Sequence, residues 1–378
     1  MKSIFLLLSG IFILLIFSCQ PDSPETWTPS EDPWPKIGMM NEVWYQNGER
    51  YIHSSFEYAG SGFLIDYQGK TLAATAKHVL WIAKPKAMQT VNPNPFLERW
   101  IMHPKGNLAD SVVLDQLINT DTSEYLQGSG ATITERDWLV FTTKSVSPNI
   151  KPLTPSFRQL KAGETVYFQG CPYKDSTCVS GSGKVFLSRG SRFEFTKDDS
   201  SFQANGISGA PLIDSAGYLV GIFSGTSVNR ENGDPGFLGV STHYLQKVLN
   251  GETGINQRML PIYEYLSQEI AQNGIEGAVE NYRELIADPD NYFHYHVTPE
   301  GFNKLARELL EGGDAEGALA ILELSMEDHP QFSRTFALLG KTYLALGELD
   351  KAEKALEDAL RLWPENKEAL ELMEEMKK

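Results

Sequence analysis

Two consecutive stretches of this chain, 299–332 and 333–366, follow one 34-residue pattern. Phe336, Leu339, Gly340, Tyr343, Ala352, Leu356, Ala359 and Pro364 mark it in the second copy. Phe302, Leu305, Ala306, Leu309, Ala318, Leu322, Ser325 and Pro330 stand at the same positions in the first. A period of this length permits few architectures. Each copy reads as a pair of helices: small residues let the two approach, large ones fill the seam, and the proline stops the second helix. Gly274-Ile275-Glu276-Gly277-Ala278 marks the turn of a more degenerate pair upstream, and residues 366–378 read as a polar capping helix. Residues 258–378 are therefore expected to be an all-α unit of stacked hairpins.

Charge separates this unit from the rest. The net charge is −16, and residues 262–378 hold 25 acidic against 11 basic side chains, while residues 1–261 hold 24 against 22. Phosphate binding needs clustered Lys and Arg, so nucleic acid is excluded as a partner.

From about residue 40 to 255 the texture changes to short apolar runs separated by Gly, Asn, Asp and Ser. GSGFLIDYQGKTLAAT alternates apolar residues around Tyr67-Gln68-Gly69-Lys70 and predicts a hairpin. DWLVFTT, ETVYFQG, GKVFLSRG and GYLVGIFSG are of the same kind. Many short strands with turn signals between them predict an all-β barrel or sandwich. Ser180 and Ser182 lie in a glycine-rich stretch expected to shape a hairpin turn.

The first 19 residues are a targeting segment. Lys2 precedes an apolar run from Ile4 to Phe17, of signal-peptide length and too short to span a bilayer. Ile16-Phe17-Ser18-Cys19 resembles a bacterial lipobox, with an aliphatic residue at −3 and a small one at −1; Phe17 at −2 departs from the usual pattern. The expectation is lipidation of Cys19 after cleavage, which would anchor an exported protein to a membrane of the cell envelope. An ordinary cleaved signal with an incidental Cys is the alternative. Residues 20–39, opening QPDSPETWTPSEDPWPK, read as a flexible tether. Two cysteines remain. In an oxidising compartment Cys171 and Cys178 can form a short-loop disulfide; two buried free thiols are the other reading. No Cys/His spacing suggests zinc, His294 and His296 read as a solvated loop, and no cofactor is expected.

Three segments carry chemistry: Thr75-Ala76-Lys77-His78-Val79-Leu80, Arg136-Asp137-Trp138-Leu139-Val140-Phe141 and Gly206-Ile207-Ser208-Gly209-Ala210-Pro211. An isolated His is commonly a surface or core residue, and an Asp before an apolar run commonly just starts a strand. In the order His, Asp, Ser, each at a strand edge, they describe an activated hydroxyl. A serine that attacks an amide needs a base within hydrogen-bond reach and a carboxylate to orient that base. It also needs backbone N–H groups aimed at the developing oxyanion. Gly206 permits the tight turn that points its own N–H and that of Ser208 to one spot.

These motifs resemble those of the trypsin-like serine peptidases, bacterial type: TAKHVL is similar to the family's TAxH motif, RDWLVF to its Asp-leading strand and GISGAP to its GxSGxP motif. The likeness covers residues 41–250. It implies a double β-barrel of the chymotrypsin fold, with His78 as general base, Asp137 as orienting carboxylate, Ser208 as nucleophile, and the Gly206 and Ser208 N–H groups as the oxyanion hole. Ile207 stands where the animal enzymes have the Asp that a newly cut N-terminus pairs with, so the resemblance implies competence on folding without that cleavage. The family's spacing puts Phe202 near the base of the primary pocket and Ser224 and Gly225 along its wall, with an apolar or small side chain as the preferred substrate residue. An α/β-hydrolase is excluded because Ala210 breaks GxSxG and the chain order is wrong.

The 34-residue units resemble tetratricopeptide repeats, which implies a concave groove for a peptide or partner protein; packing on the barrel alone is the competing role. The whole reads as a lipid-anchored serine endopeptidase acting on proteins or peptides. The alternative is a non-catalytic envelope scaffold in which the repeats bind partners and the barrel is a relic.

Overall fold

The computed structural model describes residues 27–31, 33–52, 58–126, 136–196, 204–229, 234–252, 255, 259–330 and 332–377. Its first strands are β1 (Met39–Tyr45), β2 (Ser61–Tyr67), β3 (Lys70–Thr75), β4 (Thr90–Val91), β5 (Leu97–His103), β6 (Val112–Leu117), β7 (Asp121–Tyr125) and β8 (Leu139–Ser145), with the short helix α1 (Lys77–Ala83) after β3. Six of them close an antiparallel barrel in the order β1-β2-β3-β8-β6-β5, while β4 and β7 pair beside it. The hairpin read from the sequence is β2–β3. Tyr67 faces Lys70 across a two-residue tip, and both tip residues have positive φ, 51° at Gln68 and 74° at Gly69. That tip twists in the sense the flanking strands require.

A second barrel follows: β9 (Thr165–Gly170), β10 (Val179–Arg189), β11 (Arg192–Thr196), β12 (Pro211–Ile213), β13 (Leu219–Asn229) and β14 (Asp234–Ser241), closed in the order β10-β11-β14-β13-β12-β9. Phe168, Phe193, Phe195, Phe223 and Phe237 fill it. The glycine-rich stretch around Ser180 and Ser182 runs inside β10 and is not a turn. Its glycines serve close packing: a Cβ at Gly181 would lie 2.5 Å from the Phe168 ring, and one at Gly183 would lie 2.0 Å from the Thr196 carbonyl oxygen.

Apart from a short parallel pair, β15 (Leu260–Pro261) with β16 (Tyr295–His296), which departs from the all-α expectation, the remainder is helical: α2 (His243–Leu249), α3 (Ile262–Ala287), α4 (Pro299–Glu311), α5 (Ala315–Asp328), α6 (Ser333–Ala345), α7 (Leu349–Leu362) and α8 (Lys367–Met376). The α3 segment is two helices meeting at Gly274, whose φ of 72° and ψ of 179° interrupt the helical path. The pairs α4–α5 and α6–α7 occupy the two 34-residue units, with Asp314 capping α5 through the Gly317 N–H at 2.8 Å. Gly340 is small because a Cβ there would lie 2.6 Å from the Leu356 side chain on the paired helix. Among the described residues no helix is long and apolar enough to cross a membrane.

Two consecutive aromatics join this helical unit to the barrels, both in the 3-10 turn Pro289–Phe293. Phe293 is fully buried in the core that contains Phe63, Trp138 and Tyr244. Tyr292 covers the turn between β10 and β11, where a Cβ on Gly190 would lie 2.4 Å from its ring. Beside it Arg189 pairs with Asp328, a carboxylate that also accepts from the Tyr282 and Tyr292 hydroxyls. Lys247 reaches Asp290 at 2.6 Å.

Candidate active site

Strand β3 ends at Thr75 and the chain turns at once into α1, which places His78 in the first turn of that helix. Asp137 meets it from the start of β8. His78 Nδ1 lies 2.7 Å from Asp137 Oδ2, and the His78 backbone N–H donates to Oδ1 at 2.9 Å. The Ser224 hydroxyl donates to Oδ2 at 2.5 Å. A carboxylate can only accept, so this geometry puts the imidazole proton on Nδ1 and leaves Nε2 as the basic nitrogen. Asp137 has a fully buried side chain and His78 is 11% exposed. Burial opposes charging the imidazole, but the Asp137 charge and hydrogen bond outweigh it and raise the His78 pKa above its ordinary value.

The residues flanking Asp137 are anchored as firmly. The Trp138 indole donates to the Ser241 carbonyl at 3.0 Å, and the Arg136 guanidinium donates to the Phe293 carbonyl. Asn119 receives the β8 backbone on both sides, bonding the Trp138 carbonyl at 2.8 Å and the Val140 N–H at 3.0 Å.

Ser208 sits on a loop with two left-handed glycines, Gly206 at φ 101° and Gly209 at φ 88°. The Ile207 N–H closes a turn onto the Ala204 carbonyl at 3.2 Å, with Gly206 at positive φ as its third residue. Peptide planarity then aims the amides. The Asn205 carbonyl accepts from the Tyr173 N–H at 2.9 Å, so the Gly206 N–H points the opposite way. The Ile207 carbonyl accepts from the Ala210 N–H at 2.8 Å, which turns the Ser208 N–H outward likewise.

The loop is bolted to the first barrel by Ser61. Its N–H donates to the Ser208 carbonyl at 2.7 Å, and its hydroxyl donates to the Gly206 carbonyl at 2.8 Å while accepting from the Cys171 N–H at 2.9 Å. The next residue, Gly209, donates to the carbonyl of Phe223, the neighbour of Ser224, at 2.8 Å. A Cβ on Gly209 would lie 2.5 Å from Thr75 Oγ1, at the strand end that leads to His78. The three sequence-predicted residues are thereby brought to one place. The Ser208 hydroxyl and His78 Nε2 have no hydrogen bond to each other among the described residues, a common state of such pairs before substrate tightens them.

Ile207 is fully buried and packs toward Gly170, where a Cβ would lie 2.9 Å from its Cγ2. Apolar packing in the second barrel thus holds the loop at the point where an acidic residue would need a cationic partner.

Cys171 and Cys178 form a disulfide. Around it, Lys105 Nζ donates to the Pro172 and Tyr173 carbonyls at 2.8 and 2.9 Å, and the Tyr58 hydroxyl lies 2.9 Å from the Cys171 carbonyl. This short loop presents the Tyr173 N–H that fixes Asn205. Reduction of the bond, or Cys178→Ser, is expected to free the Gly206 amide. The expected result is a kcat lower by up to about 10²-fold, the range for a lost oxyanion donor, with KM held, and a stability loss of about 2–3 kcal/mol. Steady-state kinetics before and after thiol treatment, with recovery on reoxidation, checks it.

The pocket residues fare differently. Phe202 lies outside the described residues, as does Cys19. The Ser224 hydroxyl is committed to Asp137, because a buried carboxylate demands donors. Gly225 borders open space, with nothing within 4 Å of a Cβ built there. Ser61, Arg136 and the buried pair Lys77–Glu124 (2.8 Å) are the parts sequence reasoning missed. Their partners lie on distant segments, and no local motif announces them. Among the described residues no group of three or more His, Cys, Asp or Glu side chains is placed to hold a metal ion.

Residues 60–222 match the family described as trypsin-like peptidase domain, and residues 309–376 match the tetratricopeptide repeat. Among solved structures, one described as a Glu endopeptidase in complex with MPD has 16% sequence identity and a TM-score of 0.38, covering 58% of this chain and 90% of its own. Another, an inactive mutant form of Rv3671c from M. tuberculosis H37Rv, has 14% identity and a TM-score of 0.35, covering 57% of this chain and 87% of its own. No curated protein matches the sequence.

Proposed function

We propose that this chain, which carries a trypsin-like peptidase domain and tetratricopeptide repeats, is a serine endopeptidase working through an acyl-enzyme. The observation that carries the proposal is the buried Asp137 carboxylate, which takes the His78 ring, the His78 backbone and the Ser224 hydroxyl together. That arrangement leaves Nε2 as the basic nitrogen. As Ser208 Oγ attacks the substrate carbonyl carbon, its proton passes to Nε2. The carbonyl oxygen becomes an anion held by the Gly206 and Ser208 N–H groups. The imidazolium then protonates the departing amine as the C–N bond breaks, leaving Ser208 acylated. Water, deprotonated by the same Nε2, releases the acid and restores the hydroxyl. No cofactor enters these steps. A relic barrel would have no use for a buried carboxylate saturated with donors, which tells against the scaffold reading. A fluorophosphonate probe tests the proposal: a single adduct on Ser208 by mass spectrometry is expected, and well-folded protein without one would overturn it.

The lipobox-like Ile16-Phe17-Ser18-Cys19 supports export and anchoring in the bacterial cell envelope through a lipidated Cys19. Cys19→Ser is expected to move the protein from the detergent-extracted membrane fraction to the soluble one. Unchanged fractionation would remove the anchor. The acidic repeats suit a basic segment of a substrate or partner protein.

A further inference from the structure

We propose that the 3-10 turn Pro289–Phe293 of the helical part is a positioning element of the catalytic site, acting through Arg136 and Lys77; the proposal rests on the serine-peptidase reading. The residues immediately before His78 and Asp137 both converge on Phe293. Lys77 is 1% exposed and bonds both Glu124 carboxylate oxygens at 2.8 Å. Its ammonium stands 5.2 Å from the centre of the Tyr244 ring. Tyr244 is itself fully buried and meets the Phe293 ring edge-on at 5.9 Å. The Phe293 carbonyl accepts from the guanidinium of Arg136, also 1% exposed. The path from His78 through Lys77, Tyr244, Phe293 and Arg136 to Asp137 is thus closed by the direct bond between His78 and Asp137.

Phe293 is 157 residues from Arg136 in sequence and belongs to neither barrel. Its ring fills space in the barrel core and its carbonyl accepts from the guanidinium of the residue next to Asp137. Loss of the ring lets the turn withdraw. The backbone at Arg136-Asp137 loses that anchor, and Asp137 no longer holds His78 as closely. An imidazole held less closely by its counter-ion is charged less readily, so the His78 pKa falls.

The test uses the full chain with Phe293→Ala, Phe293→Leu and Arg136→Met, and with Leu356→Ala as a control in the separate core of the last repeat. For Phe293→Ala, kcat is expected to fall about 10²-fold, the scale of a small misplacement at the reacting groups, with KM unchanged. The acidic limb of its pH–rate profile should move to lower pH. Phe293→Leu, which keeps an apolar side chain of substantial volume, is expected to recover most of kcat and to return the limb. Leu356→Ala should lower the melting temperature without altering kcat. If Phe293→Ala does not fold, Arg136→Met decides through the same loss of kcat at unchanged KM. A folded Phe293→Ala or Arg136→Met protein with wild-type kcat overturns the proposal. The wild-type chain is labelled by the fluorophosphonate probe in parallel. An unlabelled wild type refutes the serine-peptidase reading itself, whereas a labelled wild type with unaffected variants refutes only the role of Phe293.

Discussion

Replacing Ser208 by alanine is expected to lower kcat about 10⁶-fold, the loss seen when a serine nucleophile of this kind is removed. That ratio corresponds to about 8 kcal/mol of transition-state stabilisation. The residual turnover would come from substrate binding and the oxyanion amides. Stability should hardly change. Ser208 is only partly buried, and its hydroxyl has no hydrogen bond among the described residues. The substitution therefore removes no folded-state contact, and a change within about 0.5 kcal/mol is expected. KM should stay near the wild-type value because the binding surface is intact. Ser180→Ala and Ser182→Ala, inside β10 and away from the site, provide the comparison: kcat is expected to persist in both. Retained turnover in Ser208→Ala protein freed of wild-type contamination would sink the nucleophile assignment.

Asp137→Asn is expected to cost about 10⁴-fold in kcat, or about 5.5 kcal/mol, and the reason is a clash of donors. Asp137 Oδ1 receives the His78 backbone N–H, and Oδ2 faces His78 Nδ1 and the Ser224 hydroxyl. An asparagine that keeps its oxygen at the backbone N–H presents an NH₂ to Nδ1. The imidazole proton must then move to Nε2, where it blocks acceptance of the Ser208 proton. The flipped amide sets two donors against each other at the backbone instead. The pH profile carries a second signature. In the parent the carboxylate raises the His78 pKa against burial, and activity grows as pH rises through that value and the base is freed. Without the charge, burial acts alone and lowers the pKa, so the acidic limb of what activity remains should shift to lower pH. A limb that stays in place would show that Asp137 is not the group controlling His78.

The candidate triad is legible because each member is embedded in a local pattern. His78 follows a strand end, Asp137 begins one, and Ser208 lies between two glycines whose positive φ the structure confirms. The helical repeats were legible for the same reason, since a period of 34 residues states its own helix boundaries. What supports the site was not legible. Ser61 reaches Gly206 over 145 residues, and Ser224 reaches Asp137 over 87. A hydroxyl shows no sign in sequence of which distant carbonyl or carboxylate it serves. Ser224 illustrates this: spacing placed it along a pocket wall and gave no sign that its hydroxyl serves the buried Asp137. The glycines around Ser180 misled in a related way. They read as turn residues, whereas close approach of Phe168 and Thr196 is what excludes a side chain there.

The Phe293 plug also gives the chain a clock. Synthesis runs from the N-terminus, so His78, Asp137 and Ser208 emerge while the residue proposed to complete their surroundings is still to come. Both barrels can have closed before the turn at Pro289–Phe293 arrives. On the proposed role of Phe293, the chain passes through a stage in which the barrels have closed and the site is not yet complete. The delay lasts as long as the last link is missing, and it requires no separate inhibitory segment.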